Sequence, residues 1–263
     1  MSSLKNRKVI VTGVAHGIGR ALALAFAKEG AKVAGCSRGR DSLECLSKEM
    51  VGSGHVFFAA DLSKPEGIRE FFDKVQEAFN GIDILVNNVG AVLKLGNFFE
   101  VSDEDWENSF QVNLMSAVRL CRMSIPELRK SPCPRIINIS SVAASHPQDI
   151  FPHYNAMKAA LSNLTVSLAQ TLAENGICVN SISPGPVWSR SWEQEAESQE
   201  NAASSIEDVK KNIMDQTGKN IPLKRMGVPE DLTGLALFLA SEQSSWITAT
   251  NFVVDGGLTR NPF

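Results

Sequence analysis

Residues 8–30 read as a strand, a glycine turn and a helix in direct succession. Lys8-Val9-Ile10-Val11-Thr12 is a β-branched run of the kind that fills a buried strand. Gly13-Val14-Ala15-His16-Gly17-Ile18-Gly19 follows, and an apolar helical period then runs from Ile18 to Glu29 and stops at Gly30. Glycines in such a turn allow a tight bend, close approach of a ligand to the backbone, and close seating of the helix on the strand. The unpaired N–H groups at the helix start attract an anion, so Gly13, His16, Gly17, Ile18 and Gly19 are candidates for cradling the phosphates of a dinucleotide.

The rest of the chain repeats this alternation. Further strands are expected at Val33–Cys36, His55–Ala60, Ile84–Asn88, Arg135–Ser140, Ile177–Ile182 and Phe252–Val254. Helices are expected at Ser42–Val51, Pro65–Asn80, Asp103–Lys130, His153–Asn175, Ile206–Gln216 and Pro229–Ser241, the third opening with the capping box Ser102–Asp105. Strands apolar on both faces and separated by helices predict one doubly wound α/β domain over residues 1–263, with a seven-stranded parallel sheet covered on both sides. Composition shifts once, from Trp188 to about Asn220, where glutamates accumulate and apolar anchors thin out. That stretch is expected to be a substrate lid that orders over its ligands.

Composition narrows the partners. A net charge of −3 gives no electrostatic footprint for nucleic acid, and no apolar run reaches the length of a membrane span. Five cysteines are scattered without a paired motif, which fits reduced thiols and no metal site. No apolar signal region precedes the first strand, so the expected location is cytoplasmic.

Ligands in such sheets bind beyond the carboxyl ends of the strands. Asp61-Leu62 ends the third strand, where a carboxylate either accepts from an adenine amino group or caps the next helix. Asn87-Asn88-Val89-Gly90 ends the fourth and suits a ribose floor or a polar turn. The chain holds 13 Phe and 4 Trp but one Tyr, at 154, with Lys158 four residues on. On a helix these share a face, so an ammonium can sit beside the phenol. A phenol near pKa 10 needs a shift of about 3 units to act near neutral pH, and a close cation together with a positive nicotinamide ring is a ready source. The alternative is a surface Tyr and a solvated Lys. Ser140-Ser141 ends the fifth strand, and a hydroxyl there can donate to a substrate oxygen as charge develops. Asn113, unfavourable inside a long helix, is expected to face a polar partner.

Taken in register, these segments resemble the short-chain dehydrogenase/reductase family from about Lys8 to Gly257. The motifs are Thr12–Gly19, Asp61, Asn87–Gly90, Asn113, Ser141, Tyr154–Lys158, Asn180 with Pro184-Gly185, and Asp255-Gly256-Gly257. The resemblance implies that Tyr154 is the general acid/base and that Ser141 polarises the substrate oxygen. It further implies that Lys158 lowers the tyrosine pKa and binds the nicotinamide ribose, while Asn113 holds a water in a proton relay. Val187 and Ser189 would meet the carboxamide, with Pro184, Gly185, Asn88 and Gly90 also lining the cofactor. It implies a homotetramer or homodimer built on the Asp103 and His153 helices. Val89 and the stretch Ile247–Asn251 depart from the usual pattern.

Residues 146–153, from His146 through Ile150 and Phe151 to His153, and residues 188–192, with Trp188 and Trp192, are expected to line a pocket for a small, partly apolar carbonyl or alcohol, the alternative for both tryptophans being packing within the lid. The 3-oxoacyl-carrier reductases offer an alternative, which the glutamate-rich lid disfavours by repelling an acidic carrier. A non-catalytic dinucleotide-binding protein is the alternative of another class, disfavoured by the intact Asn113, Ser141, Tyr154 and Lys158 set. The second strand ends in Ser37-Arg38 with no carboxylate before Asp41. A guanidinium there can clasp a ribose 2′-phosphate, so NADP(H) is expected in preference to NAD(H).

Overall fold

The computed structural model describes residues 4–199 and 205–260. Seven strands form one sheet: β1 (Lys8–Thr12), β2 (Lys32–Ser37), β3 (Val56–Ala59), β4 (Ile84–Asn87), β5 (Arg135–Ile139), β6 (Cys178–Pro184) and β7 (Asn251–Val254). Their order is β3-β2-β1-β4-β5-β6-β7, and every pair is parallel. Chain direction across the sheet reverses between β1 and β4, which leaves a crevice beyond their carboxyl ends.

Alternation of side chains divides the core into two layers. Val9 and Val11 of β1, Ile84 and Val86 of β4, and Ile137 and Ile139 of β5 pack into one, against Leu22 and Phe26 of α1 (Gly17–Lys28). Ile10, Leu85 and Ile136 point the other way, onto Phe71 and Val75 of α3 (Pro65–Phe79) and Leu120 of a later helix. Between β2 and β3 lies α2 (Arg40–Glu49). Helix α1 ends as its sequence requires. Gly30 takes φ +84°, and the Gly30 and Ala31 amides donate back to Ala27 and Phe26.

The long helix expected from Asp103 is interrupted. α4 (Asp103–Phe110) begins at the capping box, where the Ser102 side chain accepts from the Asp105 amide. A π-helical turn then spans Gln111–Met115 before α5 (Ser116–Leu128) resumes the regular pitch. α6 (Pro152–Leu172) lies along β5 and β6.

The segment after β6 also differs from its reading as a poorly anchored lid. It forms α7 (Arg190–Gln199) and α8 (Ile206–Lys219). Trp188, Ala196, Val209, Ile213 and Met226 make a third apolar cluster, with Trp192, Ile206 and Met214 packed on it. Alternating Glu193, Glu195 and Glu197 mask the helical pattern of α7, because only Ala196 among its last residues is buried. α9 (Thr233–Ala240) completes the fold, and among the described residues no helix is long and apolar enough to cross a membrane.

This cluster shares no residue with the two sheet layers, so it should open on its own. Ile213→Ala removes a buried side chain worth about 2–3 kcal/mol at such a site. Amide exchange within residues 206–219 should accelerate by roughly 30- to 100-fold while the β1 amides keep their protection. Equal acceleration in both regions would show that the segment opens only with the sheet.

Candidate active site

The glycine turn is tied to the fourth strand. The Thr12 hydroxyl accepts from the Asn88 and Val89 amides at 2.9 and 3.0 Å, and Asn88 Nδ2 donates to the Thr12 carbonyl at 2.8 Å. Asn87 Nδ2 donates inward to Asn138 Oδ1 at 2.8 Å. Both side-chain NH2 groups are therefore committed within the protein, which leaves the side-chain oxygens and the backbone for a ribose. At Gly90 only backbone can meet a ligand. Gly13 and Gly17 take φ +71° and +55°, where a side chain is strained. A Cβ at Gly19 would lie 2.2 Å from the Gly13 carbonyl, so α1 sits directly on the turn. His16, exposed at the helix start, makes no capping bond with its side chain, and half-buried Ile18 packs on the core. Close packing of Gly13 and Gly19 against Asn88 and the Gly13 carbonyl holds the first-turn N–H groups at the turn, an arrangement that fits a pyrophosphate.

At the other end of the crevice, Ser37 closes β2 and Arg38 is exposed. Asp61 does not cap α3, whose N-cap is Lys64. Its Oδ1 accepts from the Ser63 amide at 3.0 Å and the Ser63 hydroxyl at 2.7 Å. Burial pushes the carboxyl pKa up, but the Ser63 bonds and the charges of Lys64 and Arg38 outweigh that and hold it below the usual range. Leu62 is a core residue. Lys64 was not singled out from sequence. The contact that would reveal it runs through Asp61, three residues away.

The central group sits where α6 crosses the end of β5. Asn138 Nδ2 donates to Thr165 Oγ1 at 2.9 Å. The Ser140 hydroxyl donates to the Lys158 carbonyl at 3.1 Å and pairs with the Ser162 hydroxyl at 2.7 Å. These bonds fix the helix so that Lys158, 2% exposed, places its ammonium 2.9 Å from the Ile139 carbonyl and 5.6 Å from the centroid of the Tyr154 ring. The solvated surface pair is thereby excluded. Burial lowers the Lys158 pKa to about 8. Burial also raises the Tyr154 pKa, opposed by a hydrogen bond with the Ser141 side chain. Of the two serines, Ser140 is buried in the helix seat, while half-buried Ser141 faces the phenol.

Asn113 lies in the π turn, a deformation that frequently marks functional positions in helices. Its Oδ1 accepts from the Ala91 amide at 2.9 Å, and its Nδ2 donates to the Ala91 carbonyl and the Ser109 hydroxyl, both at 3.1 Å. The polar partner expected for it is thus the backbone just after Gly90. A Cβ at Gly90 would stand 2.7 Å from the Lys158 ammonium and 3.0 Å from Asn113 Oδ1, so glycine is required there by the site itself.

The segment after β6 begins over the glycine turn. Ser189 Cα would lie 3.6 Å from a Cβ at Gly17. Pro184 ends β6, the Gly185 amide donates to Val254, and Val187 bridges to Gly227. Trp188 is buried in the third cluster, with the Lys210 ammonium 4.9 Å from its ring centroid, so it packs α8 onto its neighbours, and Trp192 is the more open of the two. His146 is half-buried on the loop beyond Ser141 and pairs with the Ser145 hydroxyl at 3.1 Å. His153, the last residue of the stretch expected to line the pocket, is fully buried beside Tyr154, has neither ring nitrogen hydrogen-bonded and packs edge-on to Trp106. Among the described residues no cluster suited to a metal occurs.

A family model described as Enoyl-(Acyl carrier protein) reductase matches residues 13–259. The chain belongs to the short-chain dehydrogenase/reductase family, whose members are oxidoreductases. It is 36% identical to an uncharacterized oxidoreductase, YvrD, of Bacillus subtilis, over 98% of each chain. It is 34% identical to the 3-oxoacyl-[acyl-carrier-protein] reductase FabG of Chlamydia pneumoniae, again over 98% of each. Among solved structures, L-sorbose reductase from Gluconobacter frateurii, complexed with NADPH and L-sorbose, superposes with a TM-score of 0.89 at 31% identity over 98% of both chains.

The buried ammonium carries a measurable cost. Its folded-state pKa, about 8, lies below the 10.5 of an exposed lysine, so the folded protein binds fewer protons between those values and gains stability as pH rises through them. Lys158→Met removes the cost and should be the more stable protein at pH 7, by up to about 3 kcal/mol. The advantage should shrink between pH 8 and 10.5 in urea unfolding. A difference independent of pH would show that Lys158 is not held as a desolvated charge.

Proposed function

We propose that the protein interconverts a ketone and a secondary alcohol on a small, partly apolar molecule, using NADP(H) in preference to NAD(H). The observation that carries this reading is the meeting of the Tyr154 phenol, the Ser141 hydroxyl and the buried Lys158 ammonium at the end of β5, beside the glycine turn. When bound, the nicotinamide supplies or accepts the hydride. The protein's own groups handle position and proton. Ser141 donates to the substrate oxygen as negative charge develops, and Tyr154 gives its proton to that oxygen in reduction or takes it in oxidation.

Lys158 would bind the nicotinamide ribose and, with the positive ring of the oxidised cofactor, draw the phenol pKa down. Without that ring the phenol is held protonated by burial, the form that reduction consumes. Asn113, its side chain committed to Ala91 and Ser109, would hold the backbone beside which a relay water sits. Val187 and Ser189 would meet the carboxamide, and Asp61 Oδ2 the adenine amino group.

Carrier-linked 3-oxoacyl substrates are the second reading, favoured by the likeness to FabG and opposed by the acidic face of α7. We also propose a substrate lid over residues 188–220, a cytoplasmic setting, and a homodimer or homotetramer joined through α5 and α6. On α6, Ala156 is exposed and Ala159 and Ser162 half-buried, small enough for close helix approach.

Two measurements test the reading. Tyr154→Phe keeps the ring and should leave cofactor affinity nearly intact while turnover falls at least ~100-fold. Near-normal turnover would remove the acid/base assignment. Arg38→Ala should lose most of a tenfold or greater preference for NADPH in kcat/KM, with NADH use nearly unchanged, since about 1.4 kcal/mol accounts for tenfold. A natural protein that runs faster with low concentrations of NADH would reverse the cofactor assignment.

A further inference from the structure

Two loops leave the reacting centre side by side and expose apolar side chains that the fold does not use. The first starts at Ala91, pinned by Asn113, and carries Leu93 and Leu95, 43% and 66% exposed. The second follows Ser141 and carries Ile150, 45% exposed, and half-buried Phe151. The Gly96 amide donates to the Ile150 carbonyl at 2.8 Å, so the two loops form one rim. Asn155 Nδ2 fastens the second loop to α6 by donating to the Gln148 carbonyl at 2.5 Å.

The rim is continuous with the chemistry. The Phe151 ring stands edge-on to Tyr154, with centroids 5.8 Å apart. On the first loop the charge is turned away, because the Lys94 ammonium pairs with Asp105 on α4 at 3.2 Å; on the second, exposed Asp149 flanks Ile150. The anchored apolar side chains running outward from the acid/base group are suited to hydrocarbon more than to a polyol.

We infer that the substrate carries an extended hydrocarbon portion attached near the reacting carbon, and that this portion lies along Leu93, Leu95, Ile150 and Phe151. The inference rests on the ketone–alcohol reading of the same site. Methyl ketones with chains of 4 to 12 carbons, assayed with saturating reduced cofactor, test it directly. Burial of each methylene should raise kcat/KM roughly threefold until the chain outgrows the rim. The double variant Leu95→Ser/Ile150→Ser should cut the ratio between long and short ketones at least tenfold, and an unchanged thermal midpoint would show that the fold is intact.

A flat dependence on chain length in the natural protein, with Tyr154-dependent turnover present, overturns the inference and leaves the reaction class standing. A steep dependence that survives in the double variant, with the light-scattering mass reduced to a monomer's, gives the rim to a second copy of the chain and also overturns it. Absence of Tyr154-dependent turnover on every ketone removes the reaction class, and the inference with it.

Discussion

A single buried charge organises the centre of this molecule. Desolvating an ammonium costs several kcal/mol unless polar groups surround it, and the Lys158 ammonium has the Ile139 carbonyl and the face of Tyr154. Everything close to it is arranged to keep that position. Gly90 has no side chain to obstruct it, and Asn113 holds the backbone after Gly90 from the other side. Asn138, Ser140, Thr165 and Ser162 lock the helix that carries it onto β5. In hydrocarbon surroundings these polar groups would be a liability. Here each has a partner, so the interface between α6 and β5 has one register and the phenol one position.

Much of this was legible because local rules and global fold agree. β1 alternates Val9, Ile10 and Val11 between two apolar layers, which a strand apolar on both faces announces before any coordinates exist. The glycine turn, the capping box at Ser102 and the Tyr154–Lys158 spacing are likewise short-range patterns with short-range causes. The π turn at Gln111–Met115 was not legible, and within it Asn113 makes its contact with Ala91, 22 residues away, which local pattern does not reveal. The inward turn of Asn87 and Asn88 has the same origin, since their partners lie on β5 and β1. Ala249, at φ +60°, occupies a left-handed position that composition offers no reason to expect at alanine.

The segment after β6 shows how a surface helix hides. α7 buries one alanine among its last residues and presents glutamates on either side of it, so its apolar stripe is too thin to read. Its anchoring comes from α8 and from Trp188 and Met226, which converge only in three dimensions. That arrangement separates two properties the sequence confounds. The segment is packed, mostly on itself and on Met226, while Ser189 stands over Gly17. A unit of that kind can shift as a body relative to the glycine turn without unfolding.

Electrostatics at the adenine end extend the same logic of shared partners. Arg38 and Lys64 both act on Asp61, a carboxylate already satisfied on Oδ1 by Ser63. A ribose 2′-phosphate arriving at Arg38 would add up to two negative charges close to that carboxylate, a repulsion that a lone guanidinium offsets only in part. Lys64 makes the local balance two cations against one anion before ligand binds. A 2′-phosphate would therefore meet net positive charge with Asp61 ionised. The proposed preference for NADP(H) would then rest on two features, the carboxylate missing after β2 and the second cation placed by the turn after β3.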